Sequence, residues 1–267
     1  MRSEFRIAPV SLIAVVTLGL APIPARDQPT STGIIRRHDR PDSEYVALAT
    51  HYPNVAHLNL PTSTGASDGE GTLVAPRWVL TAAHVGVEVG KNHSITIGGE
   101  AYLSDTVIIH PKYEVGGAND LALVRLDRIV KGVEPTPVYT GEQEVGRILT
   151  IVGYGDNGTG LTGPVANDHQ VRAATNRIDE ADLQWLRFLF DPPNSPNATP
   201  LEGVAGPGDS GGPGFIEIDG GRFLAGVASG QNTRATDGRR GRYNVTEYYV
   251  RVSSYVGWIE GTIKENQ

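Results

Sequence analysis

Gly208-Asp209-Ser210-Gly211-Gly212-Pro213 sets one serine inside a glycine-rich turn, where its hydroxyl and nearby backbone N–H groups can face a single reacting carbonyl. A hydroxyl is a weak nucleophile at neutral pH, so such a serine works only beside a base and a third group that orients the base. The chain offers both. Thr81-Ala82-Ala83-His84 follows the apolar segment Trp78-Val79-Leu80, and Asn119-Asp120-Leu121-Ala122-Leu123 opens an alternating apolar run. An isolated serine or histidine in such surroundings is usually a turn or core residue. Three motifs together argue for acyl-transfer chemistry carried by His84, Asp120 and Ser210.

Outward from these motifs the chain reads as short strands and tight turns. Its 267 residues fit a single all-β domain, and 39 % hydrophobic residues with 33 glycines suit many strands better than long helices. Strands are predicted at Tyr45 to Ala49, Thr72 to Val74, Trp78 to Thr81, Ser94 to Ile97, Thr106 to Ile109, Leu121 to Leu126, Ile148 to Val152, Trp185 to Phe190, Phe215 to Ile218, Phe223 to Ala228 and Tyr248 to Val252. Alternation is clearest in Leu121 to Leu126. At the end of the chain, Ser253 or Ser254 is positioned to cap a helix with Val256, Ile259 and Ile263 on one stripe.

The N-terminus reads as a secretory signal peptide over residues 1–25. Arg2 and Arg6 precede the apolar run Ile7 to Leu20, and Ala21-Pro22-Ile23-Pro24-Ala25 supplies small residues for a cut after Ala25. The apolar run is shorter than a comfortable bilayer span. Residues 26–33 read as a short propeptide or linker, and ordered sequence begins at Ile34. The net charge is −7, and the only basic runs, Arg36-Arg37 and Arg239-Arg240-Gly241-Arg242, do not make a nucleic-acid footprint. There is no cysteine, which excludes thiol catalysis, cysteine-ligated zinc and a lipobox anchor. His38, His51, His57, His93, His110 and His169 show no paired ligand spacing, so neither a metal nor another cofactor is expected.

The three motifs, in the order His84, Asp120, Ser210, closely resemble those of the chymotrypsin/trypsin family of serine proteases: a TAAH segment, a D-[IL]-A-L segment and GDSGGP. Tyr249-Val250-Arg251-Val252-Ser253-Ser254-Tyr255-Val256-Gly257-Trp258-Ile259 resembles the family's last strand and helix, so the likeness runs from about Ile34 to Ile259. It implies an all-β fold of two six-stranded antiparallel β-barrels, with the active site in the cleft between them and a C-terminal helix. A protease domain over 34–267 would divide into barrels at roughly 34–140 and 141–252 and a terminal helix at 253–264. Most animal members are stapled by disulfides, so a chain without cysteine suggests a bacterial source and a secreted or periplasmic location. The partners implied are a polypeptide substrate and a protein inhibitor. The protein is expected to be a monomer without nucleic-acid contacts, and without a membrane contact once the leader is cut.

The resemblance also distributes roles. Ser210 attacks, His84 carries the proton, Asp120 orients the imidazole, and the N–H groups of Gly208 and Ser210 form the oxyanion hole. Asp209 pairs with a newly cut N-terminal amine, for which Ile34 is the candidate. Ile34-Ile35-Arg36-Arg37 leaves the family pattern after two residues, and Gly33 stands where a basic residue usually precedes the cut. A cut before Ile34, a cut elsewhere, or an Asp209 satisfied without any cut all remain open. The substrate pocket falls on Val204, Ala228, Gly230 and Glu247, with Ala228 taken as the counterpart of the family's usual serine. Either Glu247 faces the pocket and pairs with lysine or arginine, or it is solvated and Val204 leaves room for a medium apolar residue. Two other readings compete. A catalytically idle binding module would be expected to have lost one of the four residues His84, Asp120, Gly208 or Ser210. A quality-control protease needs an extra peptide-binding domain and usually carries GNSGG instead of GDSGG.

Overall fold

Ile34 and Ile35 are fully buried in a computed structural model that describes residues 33–62, 65–166 and 168–267. The expected leader at 1–25 and nearly all of the linker lie outside the described residues. Strand β1 (Ile35–Arg36) is followed by helix α1 (Asp42–Ala49), where a strand was expected from Tyr45. The residues that decide are polar: Pro41 fixes the entry, and Asp42 and Glu44 place negative charge in the first turn. Tyr45 and Ala49, four apart, are the buried pair, which is helical spacing. Arg172, 2 % exposed, bridges Asp42 at 2.7 Å and Asp168 at 2.5 Å and so holds α1 against the body.

Six strands then close into a barrel: β2 (Val55–Thr62), β3 (Gly65–Ala75), β4 (Trp78–Thr81), β5 (Ser94–Ile97), β6 (Glu100–Ile109) and β7 (Ala122–Leu126), in the order β2-β3-β4-β7-β6-β5. Helical turn α2 (Ala83–Gly86) leaves the end of β4. The strand β2 was not predicted, although Ala56, Leu58 and Leu60 are buried in strict alternation with His57 and Asn59. Closure leaves this sheet without free edges.

The second half contains β8 (Ile148–Gly153), β9 (Asn157–Thr159), β10 (Gly163–Ala166), β11 (Arg172–Arg177), β12 (Glu180–Ala181), β13 (Trp185–Leu189), β14 (Gly203–Val204), β15 (Pro213–Ile218), β16 (Gly221–Asn232) and β17 (Thr246–Arg251). Seven of these form a curled sheet ordered β11-β8-β15-β16-β17-β13-β12. Its edges meet through a side chain. The buried Asn176 on β11 donates to Leu189 O on β13 at 3.0 Å and to Gly203 O at 3.1 Å. A smaller sheet runs β10-β9-β1-β14. Residues 35–36 therefore belong with the second half and not, as the expected division at 34–140 had it, with the first barrel.

The halves share one core, in which Leu73, Val79 and Leu123 of the first meet Phe215, Val227 and Val250 of the second. The expected helical cap is replaced by a hydrogen bond to a carboxylate. Ser253 Oγ donates to Glu144 Oε1 at 2.8 Å, beside Arg251, so a short 3-10 turn over Val252–Tyr255 leads into helix α3 (Val256–Glu265) without a side-chain cap. Ile259 is buried, with Trp258 and Ile263 packed on the first barrel's core. Replacing Asn176 by alanine strands two buried carbonyls. Denaturant unfolding is expected to show a loss of about 2 kcal/mol, with an unchanged slope.

Candidate active site

Strand β4 ends in the turn that carries His84, and Thr81 Oγ1 fixes that end by donating to Glu70 O at 2.5 Å. Asn119 takes a left-handed φ of 60° and turns the chain so that Asp120 stands at the start of β7. Asp120 accepts three hydrogen bonds: from the His84 backbone N–H at 2.9 Å, from the His84 ring at Nδ1 at 2.8 Å, and from Ser229 Oγ at 2.6 Å. Burial alone would raise its carboxyl. The bonds from His84 and Ser229 outweigh burial and hold it below the usual carboxylate range. A carboxylate only accepts, so Nδ1 must carry the hydrogen, which leaves Nε2 with a lone pair. His84, Asp120 and Ser210 line one cleft of about 600 Å³ between the two halves, together with Tyr113, Trp185 and Tyr248.

The turn before Ser210 is held by its own backbone. Asp209 N–H reaches Gly206 O, Gly212 N–H reaches Asp209 O, and Gly211 N–H reaches Ala228 O. Gly208 has φ 96° and Gly211 φ 81°, where an L side chain is strained. A side chain at 211 would also strike Thr81 Oγ1 and Glu70 O. Glu70 N–H donates to Ser210 O at 2.8 Å and ties the first barrel to this turn. Among the described residues, the N–H groups of Gly208 and Ser210 donate to no protein oxygen.

Beneath the turn, the fully buried Asp209 accepts N–H bonds from Ile34 at 3.0 Å, Gly155 at 2.5 Å and Gly206 at 2.7 Å. Burial outweighs these bonds and pushes the carboxyl up to about 6. Gly33 still precedes Ile34, so the donor is a peptide N–H. Ile34 itself has φ 62°, an outlying conformation for a β-branched residue.

The pocket beside Ser210 encloses about 160 Å³ between Ala205–Gly208 and Ala228–Gln231, with Glu247 and Arg240 also in its wall. Ala228, Gly230 and Glu247 are thus in the pocket wall, and Val204 is not. Val204 pairs with Ile35 and is buried in the core with Phe190 and Tyr249. Glu247, 1 % exposed, accepts from Gln231 Nε2 at 2.7 Å, while the same Gln231 amide donates to Ala205 O at 2.7 Å and accepts from Gly241 N–H at 3.0 Å. Burial raises the Glu247 carboxyl well above its usual value. The serine of the Ala228-Ser229-Gly230 segment is Ser229, bound to Asp120, so matching Ala228 to the family serine was one residue out. A bulge between Ala228 and Gly230 shifts the register there. Ser229, Gln231 and Arg240 were not foreseen as site residues. The adjacency of Ser229 to the Ala228-Gly230 pocket segment was the available signal.

A two-half β fold with this serine, histidine and aspartate around one cleft defines a serine-type endopeptidase. Residues 47–259 match the family model described as Trypsin, and the chain belongs to that family. It is 27 % identical over 213 residues to a trypsin of Squalus acanthias, covering 72 % of this chain and 84 % of that protein. It is 30 % identical over 215 residues to a tryptase of Mus musculus, covering 71 % and 76 %. Serine protease SSP1 of Scolopendra subspinipes is 26 % identical over 259 residues, covering 84 % of each. These relatives are animal proteins and give no support to the bacterial source inferred from the missing cysteines. Lack of cysteine constrains how the fold is held, not which organism makes it. No described helix is long and apolar enough to cross a membrane.

Asp209 binds its proton more tightly in the folded chain than in the unfolded one. The uncut protein is therefore expected to lose stability as pH rises from 3.8 to about 6. Thermal melts of uncut Ser210→Ala protein across that range should show this fall, and adding Asp209→Asn should remove its share.

Proposed function

We propose that the protein is a secreted endopeptidase that hydrolyses peptide bonds through an acyl-enzyme on Ser210. The observation that carries this reading is the His84 Nδ1 to Asp120 Oδ2 hydrogen bond of 2.8 Å beside Ser210 in one cleft. The Nε2 lone pair of His84 takes the hydroxyl proton as Ser210 attacks the carbonyl, then returns it to the leaving amine. Asp120 keeps the imidazole in that tautomer and stabilises the imidazolium. The carbonyl oxygen, as it becomes an oxyanion, is received by the N–H groups of Gly208 and Ser210. The leader at 1–25 is removed on export, and the protein acts as a monomer on polypeptides, subject to protein inhibitors. An idle module is disfavoured by relatives that bear protease names.

Activation follows from a cut before Ile34 by another protease, since Gly33 is not a residue the Glu247 pocket would take. The cut converts an amide N–H into an α-ammonium 3.0 Å from Asp209. It also ends the positive φ at Ile34, and it gives a buried carboxyl its counter-charge. In the pocket, Glu247 replaces Val204 as the candidate determinant and favours lysine or arginine at the cleaved position.

Fluorophosphonate labelling with mass spectrometry tests the nucleophile. Label is expected on Ser210 alone, in protein beginning at Ile34, and label elsewhere would refute the mechanism. Asp120→Asn should lower kcat by about 10⁴ while leaving the fold intact. The Glu247 carboxyl must ionise to pair with a cation. The ratio of lysyl to leucyl kcat/KM should therefore rise with pH through a value above the ordinary carboxylate range. In Glu247→Gln the ratio should drop about tenfold and lose that pH dependence.

A further inference from the structure

We infer that Arg240 is a second recognition residue, which pairs with an acidic side chain of the substrate within two residues of the one seated beside Ser210. The inference rests on the cleft being the peptide-binding site, but not on which residue the small pocket prefers.

Arg240 borders both spaces: the pocket closed by Ala205–Gly208, Gln231 and Glu247, and the longer cleft with His84, Trp185 and Tyr248. Among the described residues it is the only lysine or arginine in either wall. Its side chain is exposed and enters no ion pair among the described residues, whereas its neighbour Arg239 lies by Asp237. The other charges of the walls have partners already: Asp120 is bonded to His84 and Ser229, and Glu247 to Gln231, with the Arg240 charge acting on Glu247 from beyond ion-pair distance and leaving its own hydrogen-bond donors open to a ligand.

The loop that carries Arg240 is anchored at its next residue, because Gly241 N–H is held by Gln231 Oε1 at 3.0 Å. Arg239 and Thr236 close the preceding turn on themselves. The guanidinium is therefore presented from a fixed point at the junction of pocket and cleft. A basic side chain entering beside Glu247 must pass the positive charge of Arg240, and a carboxylate on the adjoining substrate residue offsets that repulsion. The planar fork of arginine suits a carboxylate.

Binding separates this proposal from catalysis. Ser210→Ala protein, which cannot turn over, is prepared both uncut and with its N-terminus at Ile34, and each form is titrated by fluorescence anisotropy with peptides centred on lysine and, in parallel, on leucine. Glutamate or glutamine is placed in turn at each position within two residues of the centre. At one of those positions glutamate is expected to tighten binding about two- to fivefold, less so in 0.5 M NaCl. Adding Arg240→Ala should abolish the gain, Arg240→Lys should keep much of it, and Arg240→Glu should turn it into a loss. A glutamate gain that survives Arg240→Ala, or no gain at any position in either series, overturns the proposal. Failure of the lysine series alone counts against the Glu247 reading and leaves the Arg240 comparison to the leucine series.

Discussion

The Asp209 carboxyl, buried with no cation beside it among the described residues and held by three N–H groups, is the constraint on which the site depends. Its donors come from Ile34 just before β1, Gly155 after β8, and Gly206 in the pocket wall. One oxygen-rich centre thus draws together the first described strand, the second sheet and the turn that presents Ser210. A buried carboxyl gains only if its lone pairs are filled, so the loops converge on it or the turn cannot close. The glycines at 153 and 155 fit the same demand, since a Cβ at either would collide with this carboxyl.

A second tie crosses between the halves. Glu70, on β3 of the barrel, donates its N–H to Ser210 O and accepts from Thr81 Oγ1 through its carbonyl, so the strand leading to His84 and the turn bearing Ser210 share one residue's backbone. The common core behind it, with Leu123 and Phe215 in one cluster, resists sliding of one half over the other. Relative placement of His84 and Ser210 is therefore a property of packed backbone and not of long side chains.

Legibility in the sequence followed the locality of the physics. His84, Asp120 and Ser210 each sit in a short motif whose local shape is set by its own residues, and the strands around them alternate plainly. Helix α1 was misread because Tyr45, Val46 and Leu48 are apolar, while the deciding signals were Pro41 and the acidic first turn. Ser253 was expected to cap α3. It turns instead to Glu144, more than a hundred positions away in the chain, a partner that no local pattern announces. The pocket was the hardest part. Glu247 lies in the pocket wall and Val204 does not, because β1 and β14 pair across a sequence separation that spans the whole first barrel.

The clasp formed by Arg172 between Asp42 and Asp168 holds α1 to the body without a covalent bridge. Its strength comes from charge and hydrogen bonds, so glutathione or dithiothreitol has nothing in it to reduce. The N-terminal helix of this enzyme should stay docked through passage between reducing and oxidising compartments, and no oxidase or isomerase is needed to assemble the fold.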